Sequence, residues 1–124
     1  MKLKRAEPGT AAEAREGFLA FFAGDGRRHF RIEEELLLPA YARHCSATEA
    51  DVVRVLTDHV ELRRAGGDLE ANAEPRLDDL HRLGERLESH IRHEERVLFP
   101  RIEEALTDAE LARLGAEIER AEAS

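Results

Sequence analysis

His29-Phe30-Arg31-Ile32-Glu33-Glu34-Glu35-Leu36-Leu37-Leu38-Pro39 is written a second time as His90-Ile91-Arg92-His93-Glu94-Glu95-Arg96-Val97-Leu98-Phe99-Pro100, with six of eleven positions identical at an offset of 61 residues. The shared pattern is H-x3-E-E-x2-L-x-P. A histidine and a glutamate four residues apart lie on one face of a helix, so each copy presents an imidazole and a carboxylate side by side, pointing the same way. Two such pairs on facing helices would make a metal site.

Outward from the first copy, Thr10 followed by Glu13 fits a capping box, and Phe18, Phe22, Leu36 and Leu37 repeat at helical spacing. This predicts a first helix from about Ala11 to Ala42, weakened or bent at Gly24 and Gly26. A second capping box, Ser46 to Glu49, opens a helix carrying Val52, Val55, Leu56, His59 and Leu62, which Gly66-Gly67 should close. The polar stretch from Gly67 to Glu74 reads as a loop, with Pro75 as the first residue of a third helix carrying Leu80, Leu83, Leu87, His90, Glu94, Val97 and Leu98. Pro39 and Pro100 should each kink or end their helix in the matching place. A third capping box, Thr107 to Glu110, starts a short C-terminal helix with Leu111, Leu114 and Ile118.

At 124 residues the chain has room for one domain, residues 1–124, around three or four helices. Charged residues at 37% and aromatic residues at 5% favour an all-α fold over a sheet. The net charge of -8, with arginines dispersed among glutamates, argues against nucleic acid as a partner. No apolar run approaches the ~20 residues of a membrane span, and Met1-Lys2-Leu3-Lys4-Arg5 is followed by no signal-peptide core, so the expectation is a cytoplasmic protein. Cys45 is the one cysteine, which excludes an intrachain disulfide or a thiolate-rich metal site within one chain. Any metal here is held by nitrogen and oxygen.

On a helical wheel His29 and Glu33 fall within the arc of Phe22, Leu36 and Leu37, and His90 and Glu94 within that of Leu83, Leu87 and Val97. A carboxylate aimed at a core is costly without a partner, and a cation supplies one. His59, on the apolar face of the middle helix, adds a fifth inward group. Three imidazoles and two carboxylates suit iron, manganese or zinc better than calcium or magnesium, and two carboxylates from opposite helices can bridge two ions.

With these residues in place the sequence resembles the hemerythrin-like, or HHE cation-binding, family. The resemblance implies an up-and-down four-helix bundle around a non-haem di-iron centre that binds dioxygen or senses oxygen, iron or redox state. In that family the second and fourth helices each carry H-x3-E, matched by His29 with Glu33 and His90 with Glu94. The third helix gives a histidine, matched by His59 in Thr57-Asp58-His59-Val60-Glu61-Leu62. The metal ligands implied are thus His29, Glu33, His59, His90 and Glu94, with the glutamates bridging. The family's first helix, with its own histidine, should precede the first motif copy, yet the 28 residues before His29 contain no His. The resemblance places Met1 to Arg5 at the tail of that helix, so the chain is expected to lack it. A truncated sequence, a natural variant with one weaker metal position, and a homodimer whose second copy covers the gap are three open explanations.

Other polar residues have plainer readings. Glu34 and Glu95 sit ~100° further round the helix and belong to the surface or to support of the ligands. His93 should be exposed, His81 and His44 structural, and Cys45 a loop residue. Phe18, Phe22, Phe30 and Phe99 read as core packing. Two rival functions stand beside metal-based oxygen binding: an iron-dependent oxidase or peroxidase at the same centre, and a metal-free helical module that self-associates. The E-x2-H signature of ferritin-like enzymes is absent, its nearest approach being Asp78-x2-His81, and H-E-x-x-H is absent too.

Overall fold

The computed structural model describes residues 3–123, and among them every regular element is helical. Helix α1 spans Ala11–Ala23 and α2 Asp25–Ile32; α2 continues through a π-helical turn, Glu33–Leu37, into α3, Leu38–Tyr41. Helix α4 is Ala50–Ala71. Helix α5, Leu77–His93, continues through a second π-helical turn, Glu94–Leu98, into α6, Phe99–Ala105, and α7 is Asp108–Ala123.

The expected first helix is broken at Gly24, where the backbone turns between α1 and α2. Thr10 precedes α1 without capping it through its side chain; its hydroxyl oxygen accepts the Glu7 N–H at 3.0 Å instead. Of the segment expected as a helix tail, Met1 and Lys2 lie outside the described residues, and Leu3 to Arg5 form a turn.

Neither proline ends its helix. The Leu38 N–H donates to the Glu33 carbonyl and the Phe99 N–H to the Glu94 carbonyl, a five-residue step in place of the usual four. Proline lacks an N–H and crowds the carbonyl four residues back, so a helix interior tolerates it poorly. One widened turn puts Pro39 and Pro100 in the first turn of a resumed helix, where a missing donor costs little. The repeated motif therefore encodes a π turn that starts at its glutamate.

Helix α4 differs from expectation at both ends. It is capped by Glu49, whose carboxylate accepts the Asp51 N–H at 2.8 Å, while the Ser46 hydroxyl bonds the N–H and hydroxyl of Thr48 instead. It runs through Gly66-Gly67, because Gly66 is where the Phe22 ring lies: an added Cβ would come 3.1 Å from that ring. At its true end Arg15 of α1 donates to the Leu69, Glu70 and Asn72 carbonyls at 3.0 to 3.1 Å, filling acceptors a helix terminus leaves open. Pro75 lies outside α5, which starts one residue after Arg76. The third capping box forms as read, Thr107 N–H to Glu110 and Glu110 N–H to Thr107 at 3.0 and 3.1 Å. Its helix is not short: α7 has 16 residues against 17 in α5.

Two apolar clusters fill the bundle. One joins Phe18 of α1, Phe30 of α2, Leu62 and Leu69 of α4, and Leu80, Leu83 and Leu87 of α5. The other joins Leu38 and Tyr41, Val52 and Val55, Leu98 and Ile102, and Leu114 of α7. Each fully buried large side chain contributes about 1.5 to 3 kcal/mol. Helix α1 thus completes the bundle at one end and α7 at the other, and a polar layer lies between. Leu56, expected inside, is 40% exposed with Val53 and Val60 on the outer face of α4.

The N-terminal turn is fastened to α5. Leu3 is buried, Lys4 pairs with Glu88 at 3.1 Å, and His81 Nε2 donates to the Ala6 carbonyl at 2.7 Å. This approach requires Gly84, where a Cβ would lie 2.7 Å from the Lys4 backbone nitrogen. Gly84→Ala should cost about 1–3 kcal/mol in chemical denaturation through overpacking. Gly67→Ala, with nothing within 4 Å of the new methyl, should be neutral or stabilise by up to about 1 kcal/mol.

Candidate metal centre

The polar layer is built by three helices and the two π turns. His29 comes from α2, His59 from the middle of α4 and His90 from α5, while Glu33 and Glu94 each open a π turn. Glu33, His59, His90 and Glu94 are at most 3% exposed, and one ligand atom from each lies within 4.8 Å of all the others. His29 is joined to the same carboxylates from outside, its side chain 56% exposed. Four of the five residues expected as ligands thus converge in one buried group, and the fifth, His29, touches its two carboxylates from outside.

The carboxylates divide their oxygens between two sides. Glu33 Oε1 lies 2.8 Å from His59 Nε2 and 3.9 Å from His90 Nε2, and Glu94 Oε1 contacts His90 Nε2. The second oxygens turn the other way: Glu33 Oε2 lies 3.1 Å and Glu94 Oε2 3.5 Å from His29 Nε2. An inner position is thus bounded by two imidazoles and two oxygens, and an outer one by one imidazole and two oxygens.

The inner imidazoles are oriented from behind. His59 Nδ1 lies 2.7 Å from Glu34 Oε2 and His90 Nδ1 lies 2.9 Å from Asp58 Oδ2. A carboxylate that accepts the Nδ1 proton leaves the Nε2 lone pair facing the centre. Arg63 holds Glu34 at 3.1 and 3.3 Å, and Arg54 approaches Asp58 at 4.0 Å. Phe30 stacks on the His59 ring at 4.0 Å and meets the His90 ring edge-on at 5.9 Å, so its core role is also that of a roof over the site.

Charge in this layer is strongly perturbed. Hydrogen bonding to Glu33, then to Glu94, pushes His29 up to about 10. Burial pulls His90 down, but the Glu94 and Asp58 carboxylates outweigh it and the net direction is upward. Burial works upward on Glu94, yet the His29 and His90 imidazoles hold it well below the usual carboxylate range. Three of the four buried side-chain atoms without a hydrogen bond of regular geometry among the described residues are Glu33 Oε2, His90 Nε2 and Glu94 Oε1, although each has an ion-pair neighbour in the site. Lone pairs left unmet at one point are what a cation would satisfy, and the nitrogen and oxygen donors suit a divalent first-row metal.

Elsewhere the sequence reading is partly corrected. His93 is buried, not exposed: the start of α4 covers its side, and His93 Nε2 lies 3.1 Å from Asp51, which also contacts Arg101. Glu34 bonds the His59 imidazole, and Glu95 is exposed. Asp58 was missed, its only signal being its place beside His59 toward α5. His81 and His44 are structural; His44 bonds Glu110 of α7 at 2.8 Å. Cys45 donates weakly to the Tyr41 carbonyl, and burial pushes its thiol up, away from a reactive thiolate. Phe18 and Phe22 stack at 5.5 Å in the core, and Phe99 is partly buried.

Fold and site together define an all-helical bundle protein with a buried histidine–carboxylate cradle able to hold metal. The chain belongs to the hemerythrin HHE cation-binding domain family, whose model matches residues 2–102. No curated protein and no solved structure matches the chain.

A pH dependence follows for the metal-free protein. Because His29 is raised from 6.5 to about 10, the stability it contributes is complete below about pH 6.5 and lost as pH rises through 10. The urea midpoint of metal-free protein should fall across that window, and His29→Ala should flatten the fall. A wild-type midpoint that climbs with pH would contradict this assignment.

Proposed function

We propose that the chain holds non-haem iron as a di-iron centre and uses it to bind dioxygen or to sense oxygen, iron or redox state. The observation that carries this reading is the division of the Glu33 and Glu94 oxygens between His59 and His90 on one side and His29 on the other. Two carboxylates so placed suit a pair of ions bridged by both. Iron bound there would supply reversible electron exchange and affinity for dioxygen.

The chain's own residues set the conditions. Glu34 and Asp58 keep the inner imidazoles aimed. Phe30, with the apolar cluster behind it, keeps water from the His59 side. The partly exposed His29 leaves one flank by which a small ligand can enter. Zinc and manganese share the donor preference, and metal loading decides among them. No helix among the described residues is long and apolar enough to cross a membrane, and the proposal places the protein in the cytoplasm.

Metal-free protein supplied anaerobically with Fe²⁺ and then exposed to air should take up about two irons per chain and show near-ultraviolet charge-transfer absorption. His90→Ala should lose most of that iron. A wild-type protein that stays iron-free after reconstitution, with a melting temperature indifferent to Fe²⁺, would end the proposal.

A further inference from the structure

Resting on the two-ion reading, we infer that the two positions differ in kind. The inner one retains its ion, while the outer one opens to solvent and exchanges its ion with the medium. The inner position has four donor groups, His59, His90, Glu33 and Glu94, all at most 3% exposed. Both of its imidazoles are locked from behind by a carboxylate, and Phe30 lies against both rings. An ion there can leave only when several buried ligands move together.

The outer position has three donor groups. Its imidazole, His29, is 56% exposed, and no described residue partners its Nδ1 or stacks on its ring. Glu33 Oε2 and Glu94 Oε2 reach it at 3.1 and 3.5 Å, so the exposed face of the outer position is the one His29 occupies. Water can supply the remaining ligands and replace His29 one bond at a time. Solvent also screens the attraction between ion and carboxylates.

The chain passes from a one-ion to a two-ion state as free metal rises, which makes the occupancy of the outer position a readout of metal supply.

The test uses the metal-free full chain and Co²⁺, followed by equilibrium dialysis and visible absorption. The expected result is two binding steps separated by at least about tenfold in dissociation constant. A chelator should then remove one ion fast and the other slowly. His29→Ala, at an exposed position, should keep its helical circular dichroism, lose the weak step and retain the tight one. Asp58→Asn should speed release of the slow ion by roughly tenfold or more and leave the fast one unchanged. Two ions bound and released alike, or both lost in His29→Ala, would overturn the inference while leaving the di-metal reading intact. Two exchange rates that merge as protein concentration rises would mean that a second copy covers the flank, and would overturn it too. Failure to bind any ion would instead remove the metal-binding reading itself.

Discussion

Two carboxylates buried in the middle of a small helical bundle are the constraint around which the rest is arranged. Glu33 and Glu94 are 2% and 3% exposed, and a carboxylate in such a place must meet positive charge or donated protons. Without metal the three imidazoles of His29, His59 and His90 supply these, at the cost of unmet lone pairs on Glu33, His90 and Glu94. Apolar clusters above and below prevent water from doing so on the inner side. The same arrangement that would stress an empty core makes a site with affinity for cations.

The π turns connect this charge to the chain's covalent chemistry. Each proline of the repeat forbids an ordinary helical turn, and each helix answers with a widened one that begins at the glutamate. Proline, glutamate and histidine in H-x3-E-E-x2-L-x-P are therefore parts of one device. The histidine stands on the regular turn before the widening, the glutamate on its first residue, and the proline in the turn that resumes.

The bundle around the site is closed by unequal means. Helix α1, set at an angle by the break at Gly24, and the N-terminal turn lodged on Gly84 cover one apolar cluster; α7 covers the other. Between them the flank at His29 is left open. That gap gives the two sides of the centre different access to solvent.

The sequence by itself determined the helical class, the pairing of His29 with Glu33 and of His90 with Glu94, and the third capping box, because each rests on spacing along one helix, and helical spacing is local physics. The doubled H-x3-E-E motif also carried the family resemblance that the match over residues 2–102 bears out. Tertiary structure decided the rest. Gly66-Gly67 looked like a stop because glycine is a poor helix former, but the Phe22 ring needs that space and α4 continues. His93 looked exposed because its own helix gave no reason to bury it; Asp51 at the start of α4 did so. Asp58 gained its role from His90, 32 residues away. What separates the inner from the outer position is likewise a matter of which elements cover which side of two carboxylates. No periodicity along a single helix contains that information, since burial is set by neighbours that only the folded chain brings together.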